Sequence, residues 1–318
     1  MPPTAAVEVD LKEIASQEPA SVMAFERAMW TEHAPGEPQL SDEVAIWLAT
    51  QTRANATKTS WIVRTDDGAL AGVANLTTFL TDNLHLGHVD VRVLPECRRA
   101  GIGRALVTAV ARRARDAGRT TVVGHAWDIV PAGDAFAIAW GAEAKQVIRR
   151  SDLDLKTIDR GLITKWLKVP SHVRVHYELW PVDGAYPREH YAAIAEVEDV
   201  MNTAPQDDVD IEPQVHDADW VAQREQLFAS SPGERWTIFA RERRTGRLVG
   251  YTQVFFFEDW PGHVDQGNTG VHPDHRGHGL GRWLKAAMTD RILRERPDSF
   301  RIRTTNAFSN APMLAIND

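Results

Sequence analysis

The chain of 318 residues holds a single cysteine, Cys97. One thiol excludes an internal disulfide framework and any cysteine-based metal cluster, and no metal site is expected. No apolar run approaches the roughly 20 residues that a membrane helix needs. The start of the sequence lacks the basic-then-apolar pattern of a secretory leader. The expectation is a cytoplasmic protein with no membrane partner. Positive charge is not in excess either. The formal net charge is −8, which argues against nucleic acid as the main partner. It is read first as a matter of solubility, with a cationic substrate as the lesser reading. Tyrosine is scarce, and none follows Tyr251.

What remains is ordinary soluble-protein composition, 43% hydrophobic and 25% charged, at a length that suggests two domains. One stretch organises it. An apolar approach ends at Val271, Pro273 marks a turn, and Arg276-Gly277-His278-Gly279-Leu280-Gly281 leads straight into a helical pattern beginning with Arg282. Glycines let a ligand approach the main chain, and free amides at a helix start favour an anion such as phosphate. The same arrangement occurs earlier: Val93, Pro95, then Arg98-Arg99-Ala100-Gly101-Ile102-Gly103 and Arg104. Val93 and Val271 are 178 residues apart, and the Pro, Arg, final two Gly, following Arg and Leu keep that spacing. Two such loops in register imply a duplicated domain. Neither has the Gly-Lys-Ser/Thr of a Walker loop. Neither has the third glycine of a dinucleotide fingerprint, since Leu106 and Leu284 stand there.

Periodicity places the other elements. In the first half, strands are expected at residues 7–10, 60–64, 71–79, 88–93, 120–125 and 147–155, and helices at 19–33, 41–54, after the loop to 117, and at 131–140. Ser41 is a candidate N-cap. Residues 156–171 link the halves and carry Ile163, Trp166 and Leu167. In the second half, strands are expected at 173–178, 235–241, 249–257, 264–271 and 300–304. Helices are expected at 187–201, 217–228, 280–294 and from 310. The fold class is therefore α+β, with a mixed, mostly antiparallel sheet flanked by helices, made twice. The domains are residues 1–158 and 171–318. At an offset of 178, residue 318 corresponds to residue 140. The second copy thus stops before any counterpart of residues 141–155, and its sheet is expected to lack a last strand.

With its two Arg-x-x-Gly-x-Gly loops and this order of elements, the sequence resembles the GNAT superfamily of acyl-CoA-dependent N-acetyltransferases. Its layout looks like the tandem members, of which mycothiol synthase is one. The resemblance implies acetyl-CoA as acyl donor, no metal, and a small-molecule amine as acceptor in a monomer or homodimer. It implies that Val271, Arg276, Gly277, His278, Gly279, Leu280, Gly281 and Arg282 hold the cofactor in the second copy, with Asn310 on the pantetheine arm. In the first copy it points to Val93, Arg98, Arg99, Ala100, Gly101, Ile102, Gly103 and Arg104.

The resemblance also implies a base on the strand before the loop. Counting back from Val271 by twos puts Thr269, Gly267 and Asp265 on one face. Asp265 is the expected base, with Glu258 and His263 as fallbacks. The same count in the first copy meets Val91, Val89 and Gly87, none of which titrates. Asn310 and Asn306 are matched there by Ala132 and Asp128. The C-terminal copy is expected to be the catalytic one. A tyrosine that family members use to protonate the leaving thiolate is replaced by Asn317. The alternative reading is a CoA-binding regulatory or assembly module without turnover.

Overall fold

The computed structural model describes residues 5–53 and 55–317. The chain divides into two compact units, Met1–Glu143 and Ala144–Asp318. The first runs β1 (Val7–Val9), α1 (Leu11–Gln17), α2 (Pro19–His33), α3 (Asp42–Thr50), β2 (Ala56–Arg64), β3 (Leu70–Phe79), β4 (Leu86–Val93), α4 (Ile102–Asp116), β5 (Thr121–Val123) and α5 (Pro131–Ala139). Its described strands form one sheet in the order β1-β2-β3-β4-β5. All neighbours are antiparallel except β4 and β5. One face packs Trp61, Val63, Ala71 and Leu76 against Ile102, Leu106 and Val110 of α4. The other packs Ile62, Leu70 and Val73 against α1, α2 and α3. Ser41 caps α3 by accepting from the Val44 amide at 3.1 Å. Helix α1 has no counterpart in the sequence reading, although Asp10 accepts from the Lys12 amide at its start. Ala54, the last residue expected in α3, lies outside the described residues.

The second unit runs β6 (Ile148–Asp154), α6 (Arg160–Leu167), α7 (Ser171–His176), β7 (Tyr177–Asp183), α8 (Tyr191–Glu198), α9 (Ala218–Ala229), β8 (Gly233–Glu242), β9 (Leu248–Phe257), β10 (His263–Val271), α10 (Leu280–Glu295), β11 (Arg301–Ala307) and α11 (Ala311–Asn317). Its described strands form one sheet in the order β6-β11-β10-β9-β8-β7, parallel only between β10 and β11. Trp236, Val254 and Phe256 pack on Leu280, Trp283, Leu284 and Met288 of α10. Phe239, Leu248 and Tyr251 pack on α8 and α9 on the opposite face.

Two expectations are corrected. Residues 173–176 are helix, not strand. The Arg174 amide donates to the Pro170 carbonyl and the Tyr177 amide to the Val173 carbonyl, closing a short helix that buries Val173 before the strand begins at Tyr177. The larger correction concerns residues 147–155, which were assigned to the first half. Strand β6 instead pairs antiparallel with β11 along seven residues, from Ile148↔Ala307 to Asp154↔Arg301. The second sheet therefore has its last strand, supplied from upstream, and the division of the chain falls before β6 rather than after residue 158. An open β11 would leave a row of unpaired main-chain groups. β6 closes it, while Leu153 and Leu155 enter the core and α6 adds Ile163 and Leu167 beside them.

Candidate active site

Each glycine loop follows the strand before it through a single turn of 3-10 helix, Pro95–Cys97 or Pro273–His275. In both, the arginine bends back to hold the turn. Arg98 Nε donates to the Val93 carbonyl at 3.1 Å, and Arg276 Nε donates to the Val271 carbonyl at 3.0 Å. Gly101 and Gly279 occupy the cap position with φ of 87° and 77°, and no side chain caps either helix. The first amides of α4 and α10 are thus open to an outside acceptor, with the helix dipole adding positive character.

The copies differ in what surrounds this geometry. The guanidinium of Arg98 is engaged by both oxygens of Glu32, which neutralises it. Arg276 meets instead the Thr203 hydroxyl at 2.6 Å. Gly277 has φ of 80°, while the first loop holds Arg99 in the same left-handed region at 64°, where a side chain is disfavoured by about 1 kcal/mol. His278 folds onto the Arg276 carbonyl, and Arg282 is exposed with its guanidinium 5.6 Å from the Trp166 ring.

Beside the second loop lies a gap in the sheet. β10 and β11 pair only over His263–Asp265 and Arg301–Arg303. Past that point both continue, β10 to Val271 and β11 to Ala307, without pairing. Such an edge offers main-chain donors and acceptors to an extended ligand. β10 also carries a bulge. Gln266 faces Val254 and Thr269 faces Thr252, so Gly267 and Asn268 together oppose Gln253. This overturns the alternation expected from counting by twos. Thr269 hydrogen-bonds Thr252 on the α10 face, whereas Asp265, paired with Phe255, lies on the α8 face. The extra residue reverses the sides. β4 of the first unit pairs with β3 without any such shift, from His88↔Thr77 to Val93↔Gly72.

Asp265 is partly buried and stands two residues before the bulge. Glu258 is exposed in the turn between β9 and β10, at the opposite end of β10 from the loop. His263 is buried, with its ring stacked on Trp260 at 4.8 Å and set edge-on to Phe300 at 4.6 Å. Under the bulge lies a polar cluster that the sequence reading missed. Glu198 is 1% exposed. It accepts from Tyr251 Oη and from Gln253 Nε2, and pairs with Arg224 at 3.0 Å. Burial beside the Glu198 carboxylate holds the Tyr251 phenol protonated, well above its ordinary range. The available signal was Tyr251-Thr252-Gln253, a polar run inside an otherwise apolar strand.

Asn310 uses its side chain to cap α11, accepting from the Met313 amide at 3.3 Å. The last helices of the two units begin at Pro131 and Ala311, an offset of 180 residues. The counterpart of Asn310 is therefore Val130 rather than Ala132, and that of Asn306 is Ala126 rather than Asp128. Of the two added residues, one lengthens α10 relative to α4 and one falls between α10 and β11.

The acetyltransferase (GNAT) family matches residues 22–138 and again residues 194–312. No curated protein matches the chain. Among solved structures, a tandem GNAT protein from the clavulanic acid biosynthesis pathway, solved without AcCoA, is similar at 27% identity and a TM-score of 0.77, over 98% of this chain and 92% of that one. A GCN5-related N-acetyltransferase from Sphaerobacter thermophilus shares the fold at 15% identity and a TM-score of 0.63, over 97% and 90%. The glucosamine N-acetyltransferase region of a fungal multi-domain GH3 beta-N-acetylglucosaminidase shares it at 14% and 0.66, over 100% of this chain and 37% of that one.

Proposed function

The chain belongs to the acetyltransferase (GNAT) family in both halves, and on that premise we propose that it transfers an acetyl group from acetyl-CoA to the amine of a small molecule, with the chemistry in the C-terminal unit. The fold supports acyl transfer in general. The likeness to a tandem protein of a biosynthetic pathway favours a small-molecule acceptor. The observation that carries the assignment to the C-terminal unit is the bulge at Gly267 and Asn268, which β4 lacks.

In this reading the amides of residues 277–282 receive the pyrophosphate, and Arg276 and Arg282 supply flanking charge. The unpaired edge of β10 from Gln266 to Val271 hydrogen-bonds the pantetheine. A bulge turns main-chain groups out of the ladder, so an amide at Gly267 or Asn268 is free to stabilise negative charge on the thioester carbonyl oxygen during attack. A free alkylamine titrates near ~10.4, so it must lose a proton first. Asp265, beside the bulge, is the proposed base. Glu258, in the turn before β10 and away from the loop end of that strand, is too far for that role. In the first unit, the pairing of Arg98 with Glu32 and the regular β4 both argue for a loop that binds weakly and does not react.

Calorimetry with acetyl-CoA and thiol release with a panel of primary amines test this. Arg276→Glu should weaken binding by about tenfold or more, the value of a lost charge-assisted contact, and Arg98→Glu should leave it unchanged. Asp265→Asn should lower turnover by about 10²-fold or more with binding retained. Equal losses from Arg98→Glu and Arg276→Glu would overturn the assignment of roles. Binding without turnover for any amine would favour a non-catalytic CoA-binding module.

A further inference from the structure

Lys285 sits in α10, one turn beyond Gly281, and the reaction outlined above leaves it unused. Its ammonium donates to Asn317 Oδ1 at 2.6 Å. Asn317 Nδ2 donates in turn to Asn306 Oδ1 at 2.7 Å. These three residues tie α10 and α11 to β11 at a definite level of the gap. β10 and β11 are parallel, and their last pair is Asp265↔Arg303. Continuing that register by three residues on each strand sets Asn306 opposite Asn268, on the bulge. The helix start is close to β10 and to α11: a Cβ added at Gly281 would stand 3.9 Å from Val271 of β10 and 3.7 Å from Ile316 of α11. Lys285 thus joins the side of the gap that faces the bulge.

The chemistry at that level needs an acid. When the acyl carbon leaves sulfur, the bonding pair goes to the thiolate, whose conjugate acid is a weak acid of the kind that in cysteine titrates near ~8.5. An ordinary lysine is too weak an acid to match it. Burial lowers the Lys285 ammonium to about 8, and no other charged group among the described residues shifts it. Its one hydrogen-bond partner named above is a neutral amide, which orients the ammonium without neutralising it. In the first unit the residue 178 positions earlier is Val107, which can hold no proton.

We infer that Lys285 is the proton donor to the departing CoA thiolate, an inference that rests on the acyl-transfer reading above. Asp265 takes the ammonium proton of the acceptor and releases it to water; the neutral nitrogen then bonds to the carbonyl carbon, and its remaining surplus proton passes to Asp265. The carbon–sulfur bond breaks, sulfur keeps the pair, and an Nζ proton moves to it. Neutral Lys285 then recovers a proton from water as Asp265 releases one, so that thioester and amine yield amide and thiol.

Free CoA is the probe, because an ammonium beside the sulfur must also stabilise the thiolate of the product. The ultraviolet absorbance of the thiolate is followed against pH for CoA bound to the wild-type chain, to Lys285→Met and to Lys285→Arg. Bound to the wild type, the thiol should ionise about one pH unit or more below free CoA, the effect of one adjacent opposite charge. Lys285→Met should bind CoA with similar affinity and lose that shift. Lys285→Arg, which keeps the charge but cannot release a proton, should keep the shift while lowering turnover of any amine the wild type accepts. A merely structural lysine would not move the thiol titration at constant affinity. Should Lys285→Met fail to fold, Lys285→Gln serves the same comparison. Identical thiol titrations in the wild type and the uncharged variant would overturn the inference alone. Failure of the wild type to bind CoA would overturn the functional reading beneath it.

Discussion

Arg98 and Arg276 occupy matching places in two matching loops, and both hold the turn by donating to the strand-end valine. What separates them is one neighbour. A carboxylate takes the rest of Arg98, and a hydroxyl takes the rest of Arg276. A cation already paired has little attraction left for a phosphate. Lys285 illustrates the converse, a cation held with no opposite charge. Below pH 8 it is charged in both the folded and unfolded chain, so its burial penalty is present in full. Between about 8 and its ordinary value of 10.5, the unfolded chain keeps the proton and the folded chain releases it. Stability therefore rises with pH across that window. Lys285→Met should raise resistance to urea at pH 7, with the gain shrinking by pH 10.5. A constant difference at all pH values would contradict this account.

Strand β6 depends on charge as well as on its ladder. Asp152 accepts from Arg303 and pairs with Arg301, both on β11. The hydrogen bond from Arg303, with the two nearby guanidinium charges, keeps its carboxyl below the usual carboxylate range. A carboxylate whose folded value is depressed stabilises the fold above its ordinary value, and that contribution disappears as pH falls through the folded value. Asp152→Asn should thus lower stability at pH 7 by about 1 kcal/mol, since the pair is partly solvated. It should make the acid limb of unfolding shallower. Denaturant melts at pH 7 and pH 3 check both, and an equal loss at the two would refute the charge argument. The bulge in β10 works at the same level of organisation. One extra residue puts Asp265 and Thr269 on opposite faces, although their spacing reads as one face.

The division of the chain follows from where β6 pairs. A fragment of residues 144–318 retains β6, Leu155 and α6, and should unfold cooperatively with β11 amides protected from hydrogen exchange. A fragment of residues 171–318, the boundary read from the sequence, loses the partner of β11 together with Leu155 and Ile163 from the core. It should melt at lower denaturant or fail to fold. Equal stability of the two fragments would show that β6 contributes nothing to the second sheet.

Local and repeated features were legible without coordinates. The duplicated Arg-x-x-Gly-x-Gly loops, the helices at 19–33 and 280–294, the Ser41 cap and the strand before each loop all depend on residues close in sequence. Their propensities and periods point the same way. The strand at 147–155 was legible as a strand, but not its partner, because pairing is chosen by which sheet edge is open. The face of Asp265 was not legible, because a bulge changes parity without changing composition. Nor was the meeting of Lys285 with Asn317 and Asn306, three residues on three elements. Chain-local energetics determined the elements and the loops, while long-range packing alone decided register, the lent strand and the surroundings of each charge.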